Sequence, residues 1–311
     1  MTTCSCGKHH ITTNTLRKKT LTEIARQDPT RTLSLRRSFE ADIKRRFTQL
    51  KRAIIQAVAI DDIFGLKTRN PVTINQDLEP RQYEFMRSDA KVKAFMDWLK
   101  EMERKGILMT TMGFGVTGEQ PWTNIYIQSS YQRGISRARQ ELKKAGYDVP
   151  DAMGFIPGGQ DPIVLAFNAP FHADRVALAY TRTFSELQGI TAAMDQQISR
   201  VLAQGLAEGI SPYQIARNIV DRVDRIGMTR ARMLARTEVV SAHHQATINE
   251  YEQWGVKGVS VLAEWLTAGF GVCPQCLALA ARSPYTLQEI RGLIPVHPNC
   301  RCTTIPVLKE K

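Results

Sequence analysis

Across 311 residues there is no run of about 18 or more apolar residues, so no membrane-spanning helix is expected. The opening stretch MTTCSCGKHH lacks the apolar core of a secretory signal, and the chain is expected to be soluble and cytosolic when made. Cysteine is scarce as well. Six in a chain of this length are too few for a disulfide scaffold, and a reducing compartment favours thiolates open to metals. Aromatic residues are 7% of the chain and do not interleave with the basic ones, which argues against base stacking as a mode of recognition. H-E-x-x-H, G-x-S-x-G and Walker loops are absent, as are internal repeats.

What is abundant is positive charge. The formal net charge is +12, and residues 1–60 hold 13 Lys or Arg against 4 Asp or Glu, so most of the excess lies at the amino-terminal end. Clustered cations displace condensed counterions when they meet a polyanion, which makes DNA or an acidic protein surface a natural partner; a solvated helix face is the plain alternative. The length suits about two domains, and 43% apolar residues suffice for cores.

Residues 1–30 have no apolar period and are expected to form a mobile arm. Its Cys4, Cys6, His9 and His10 offer a second set of metal donors, although seven residues leave little chain to wrap a tetrahedral ion. From Thr32 onward Leu35, Phe39, Ile43, Phe47, Leu50, Ile54 and Val58 recur every three or four residues. Arg36, Arg37, Lys44, Arg45, Arg46, Lys51 and Arg52 fall between them, predicting an amphipathic helix with a basic outer face for nucleic-acid or partner contact. Further helices are expected over 88–105 and from Pro121 to about Ala145. Gly113, Gly115 and Gly118 satisfy a literal G-x-G-x-x-G, but no second strand follows, so a turn is expected rather than a dinucleotide site. Residues 151–170, rich in Gly and Pro, read as a linker. A long helix then runs from Pro170 to near Gly209; Ser211 caps a short helix, and Thr229 is expected to cap another that ends near Trp254. VSVLAEWL, 259–266, alternates as a strand, with Thr303–Val307 as its partner.

Between these strands lies CPQCLALAARSPYTLQEIRGLIPVHPNCRC, residues 273–302. Cys273 and Cys276 have the C-x2-C spacing of a metal knuckle, and after 20 intervening residues come His297, Cys300 and Cys302. Thiolate and imidazole donors with few hard oxygens nearby select a structural zinc. Four of the five would bind, with Cys273, Cys276, His297 and Cys300 as first choice because H-x2-C mirrors C-x2-C. Buried thiols, or bridges formed by oxidation outside the cell, are the alternatives. An open catalytic site is not expected, since four or five soft donors close the coordination sphere, and Glu289 reads as a surface carboxylate. In LARTEVVSAHHQATINEYEQWG, Arg236, Thr237 and Glu238 are expected to pin the helix to this lobe, with His243 and His244 as packing or surface residues.

The succession ARTEVVSAHH, EYEQWGVKGVSVLAEWLTAG, VCPQCLAL and IPVHPNCRCTTIPV, over about residues 170–308, resembles the carboxyl-terminal domain of the phage Mu F-like minor head proteins, also called phage head morphogenesis proteins. Two departures stand out. The family usually has an acidic residue just before C-x2-C, where this chain has Ala268, Gly269, Phe270 and Gly271, and glycine usually follows L-x-A-L, where this chain has Ala280 and Ala281. The resemblance implies a minor capsid protein inside the virion head, bound to the portal protein and packaged double-stranded DNA, with major capsid or scaffold protein as a further partner. It implies a role in assembly or genome ejection, without enzymatic activity.

The expected architecture is mainly α, with a small carboxyl-terminal α+β lobe built as a short hairpin or sheet around the zinc knuckle. Its parts are an arm (1–30), a basic helical region (31–150), a linker (151–170) and a Mu F-like domain (171–311) with the zinc lobe at about 256–308. A zinc-containing DNA-processing enzyme or toxin-like effector is the alternative function; a DNA-binding regulator would need a recognition helix richer in Arg and Asn than residues 277–295.

Overall fold

A computed structural model describes residues 28–66, 88–110, 120–149, 162–255, 261–269 and 271–308. The triple-glycine stretch and Cys4, Cys6, His9 and His10 lie outside these residues. Within them the chain is mainly helical, with a small antiparallel sheet near the carboxyl end.

Helix α1, Leu33–Ile55, buries the apolar stripe read from the sequence: Leu35, Phe39, Ile43, Phe47, Leu50 and Ile54 all face the core. Its start is built differently from the expected arm. Asp28 and Thr30 are buried, and the Asp28 carboxylate accepts the Leu33 amide at 2.7 Å and Arg36 Nη2 at 2.6 Å, so residues 28–30 cap the helix. A π-helical turn, Gln56–Ile60, continues α1. Helix α2, Ser88–Glu103, leads through a second π-helical turn, Arg104–Leu108, into strand β1, Met109–Thr110, which pairs with β2, Gln120–Pro121. Helix α3 spans Asn124–Lys144, and the short apolar run after Pro162 forms α4, Pro162–Asn168.

The long helix appears as α5, Pro170–Ala207, with Pro at its first turn, and Ser211 caps α6, Pro212–Arg222, by accepting the Gln214 amide. Thr229 does not cap a new helix. A π-helical turn, Val223–Met228, joins α6 directly to α7, Thr229–Gly255, and Thr229 Oγ1 donates back to the Asp224 carbonyl at 3.0 Å.

Helix α7 is the axis of the molecule. From Glu238 to Tyr251 nearly every residue is buried, because α1, α3, α5 and the carboxyl-terminal lobe surround it. Its closest neighbour is α3, and Gly134 makes that approach possible: a Cβ there would stand 2.4 Å from the His243 carbonyl oxygen. One apolar core unites α1, α2, α3, α5, α6 and α7, and so draws on both sides of the 151–170 segment. A second joins Leu142 of α3 and Ile248 and Tyr251 of α7 to the lobe. Among the described residues no helix is long and apolar enough to cross a membrane.

The lobe is a three-stranded antiparallel sheet in the order β4–β3–β5. Strand β3, Val261–Leu266, pairs along its length with β5, Thr303–Leu308, and with the two-residue β4, Tyr285–Thr286. Helices α8, Pro274–Ala281, and α9, Leu287–Ile290, flank it.

Candidate metal centre

The C-x2-C pair sits on a helix start. Cys273 is the N-cap of α8, with Pro274 at the first helical position, and its sulfur accepts the Cys276 amide at 3.3 Å. This fixes both thiols on one side of the helix terminus, where the peptide dipoles favour thiolate. The opposite jaw is the turn His297–Cys300, closed by the Cys300 amide donating to the His297 carbonyl at 3.0 Å. Asn299 takes the left-handed conformation there, φ 64°, which Asn tolerates better than most residues.

The two jaws meet. His297 Nε2 lies 3.2 Å from Cys273 Sγ and 3.4 Å from Cys276 Sγ, and Cys276 Sγ lies 3.9 Å from Cys300 Sγ. Cys302, which opens β5, joins Cys276 and Cys300 in a second group whose sulfurs lie within 4.8 Å of one another. All four cysteines are free thiols; Cys276, Cys300 and Cys302 are buried, while Cys273 and His297 form the half-buried rim. A tetrahedron with metal–sulfur bonds of about 2.3 Å and metal–nitrogen bonds of about 2.0 Å has edges of about 3.5–3.8 Å. The observed separations fit that size.

The imidazole is already oriented for such a role. His297 Nδ1 donates to the Pro298 carbonyl at 2.8 Å, which assigns the proton to Nδ1 and leaves the Nε2 lone pair facing the sulfurs. The thiols divide electrostatically. Burial pushes Cys276 up to about 12, and a hydrogen bond shared with Cys300 also raises Cys302. Cys300 is lowered by that same bond, and Cys273 is lowered because the Cys276 amide and His297 outweigh its desolvation. A dry pocket with two thiols held toward the anionic form suits a soft cation.

Residues 196–305 match the family model described as phage Mu protein F like protein, while no curated protein and no solved structure matches the chain. This region is a phage Mu F-like domain. The match falls within the stretch over which the sequence resembles that family. The Mu F-like domain covers α7, where Arg236 Nη1 reaches Asn299 Oδ1 and Thr237 Oγ1 accepts the Asn299 amide, each at 3.4 Å, tying the helix to the histidine jaw. Glu238 does not take part in that link. It accepts Arg182 of α5, Nη2 to Oε2 at 2.7 Å. His243 and His244 are buried and are not among the grouped metal donors.

Three features of the Mu F-like domain and its surroundings escaped the sequence reading. Glu289 is the N3 partner of a capping box with Thr286, a T-x-x-E pattern visible in the sequence. The fully buried His172 of α5 places Nε2 3.0 Å from Glu250 Oε2 and Nδ1 3.1 Å from the Tyr131 hydroxyl, while Arg139 and Trp254 donate to the other Glu250 oxygen. Asn249 accepts from Arg175 and Arg291, so the same network reaches the lobe.

The basic residues of α1 divide into two sets. Arg36 is buried against Asp28, Arg46 lies over the Trp122 ring and donates to the Gly106 carbonyl, and Lys51 pairs with Asp224. Arg37, Lys44, Arg45 and Arg52 are exposed, Arg45 beside Asp42. Their spacing puts them within about 100° of one another round the helix.

Proposed function

We propose that this chain is a phage head morphogenesis protein, a minor capsid component inside the virion head, held to the portal protein and packaged DNA, where it acts in assembly or genome ejection without catalysing a reaction. The observation that carries the proposal is the outward stripe of Arg37, Lys44, Arg45 and Arg52 on a helix whose other cations are used internally. A cationic face of this kind suits DNA phosphates or an acidic portal surface, and attachment through it weakens as salt rises. The domain extends over 171–311, beyond the matched residues, with its lobe held by zinc through four of Cys273, Cys276, His297, Cys300 and Cys302. Cys273, Cys276, His297 and Cys300 are the first choice. Bound there, zinc supplies cross-linking of the two jaws, which is structural chemistry.

The test is recovery of the chain from infected cells with the portal protein, followed by metal analysis and DNA binding across a salt series. Co-purification, about one zinc per chain and DNA affinity lost in an Arg37→Glu, Lys44→Glu, Arg52→Glu variant support the proposal. Recovery without portal protein and with endonuclease activity rejects it.

A further inference from the structure

Helix α3 carries a second polar stripe beside the start of α1, where Arg133 Nη1 donates to Ser34 Oγ at 3.4 Å. Ser129, Gln132, Arg133, Ser136, Arg137 and Gln140 recur at three- and four-residue steps, so they share one face of the helix. They do not pack into a core; they line a cleft of about 480 Å³, within the range of small-ligand sites. Its other walls are Ile163 and Val164 of α4, the Thr30–Arg31 turn, and the buried His243 of α7.

The chemistry of the lining is one-sided. Among the described residues, three arginines line the cleft and no carboxylate does. Two buried nitrogens at the site, Arg137 Nε and His243 Nδ1, make no hydrogen bond, although the Glu141 carboxylate stands 3.9 Å from Arg137 Nε. A buried donor without a partner, such as Arg137 Nε, is costly, and two guanidinium groups one helical turn apart repel each other. Desolvation first, with Arg137, His244 and Arg133 adding to it, holds His243 far below its ordinary pKa, at about 3. An anion in the cleft offsets the repulsion between these guanidinium groups.

We propose that this cleft binds phosphoryl groups, with Arg31, Arg133 and Arg137 as the cationic contacts and Ser129 and Ser136 as hydroxyl donors. Guanidinium forks match phosphate oxygens two at a time. The stripe from Ser129 to Gln140 is about 16 Å long, which suits linked phosphates better than a single carboxylate. The proposal stands independently of the portal and DNA reading.

Calorimetric titration of the full chain with inorganic pyrophosphate, with acetate at equal ionic strength as the control, tests it. Pyrophosphate is expected to bind more tightly than acetate, and Arg133→Ala, at an exposed position, is expected to weaken it about tenfold. Gln140→Glu, also exposed, places a carboxylate in the stripe and is expected to do the same. No pyrophosphate binding, equal binding of acetate, or wild-type affinity in both variants overturns the proposal. Short duplex DNA added to the pyrophosphate complex distinguishes the source: displacement assigns nucleic-acid phosphates, and retention assigns a free polyphosphate.

Discussion

Arg236 forks onto Glu40, Nε to Oε1 at 2.5 Å and Nη2 to Oε2 at 2.9 Å, across 196 residues of sequence. The pair ties basic helix α1 to central helix α7, with Asn299 of the lobe touching the same guanidinium. It lies partly open to solvent, which limits its worth. Glu40→Ala is expected to cost about 1 kcal/mol, and Arg236→Ala somewhat more because it also frees the histidine jaw. A double-mutant cycle in urea checks this; purely additive losses would mean that the two side chains are not coupled.

Removal of metal acts on the lobe before the helices. Trp265 on β3 is buried in the core that contains Cys276, Cys300 and Cys302, so its fluorescence is a local reporter. A strong chelator, or Cys276→Ser, is expected to shift Trp265 emission toward exposed values and to lower stability by about 3 kcal/mol or more. Unchanged melting of metal-free, reduced protein would reject the structural role of the ion.

Glu250 gives an acid limb to stability. Burial alone would raise its pKa, but His172, Arg139 and Trp254 outweigh that and bring it below the ordinary carboxylate value. A depressed folded-state pKa contributes stability that is present above the unfolded pKa and lost as pH falls through the folded one. Glu250→Gln also leaves Arg139 buried without its counter-charge, at a cost of about 3–5 kcal/mol near neutral pH. Denaturant midpoints between pH 3 and 7 should show the gap between variant and wild type narrowing toward acid.

Glu103 on α2 behaves in the opposite sense. It is 3% exposed, and burial with Asp195 nearby raises it to about 9. With a raised folded-state pKa, its contribution is complete below the unfolded value and disappears as pH rises toward about 9. Glu103→Gln imitates the protonated form and is expected to stabilise the protein at pH 8 while changing little at pH 4. Equal effects at both pH values would show that proton binding is not responsible.

At Gly134 the crossing of α3 and α7 leaves no room for a methyl group, since a Cβ would also stand 2.6 Å from that of Ala246. Gly134→Ala, which normally favours a helix, is expected here to destabilise by about 2–3 kcal/mol. Thermal unfolding checks the sign.

The periodic apolar residues of α1 and α5, the Ser211–Pro212 cap, the two pairing strands and the C-x2-C and H-x2-C jaws were all legible from the chain, because each depends on neighbours within a few residues. Local spacing also determined that Cys273 and Cys276 would face one point. What only the tertiary structure decided was partnership. Arg36 and Lys51 share the spacing of an exposed basic face, yet distant or preceding carboxylates take them. The polar run of α7, for which the sequence left His243 and His244 open as packing or surface residues, is buried because α1, α3, α5 and the lobe surround it and supply hydrogen-bond partners. Burial of a polar residue depends on groups that the chain brings from tens or hundreds of positions away, and no local period records them.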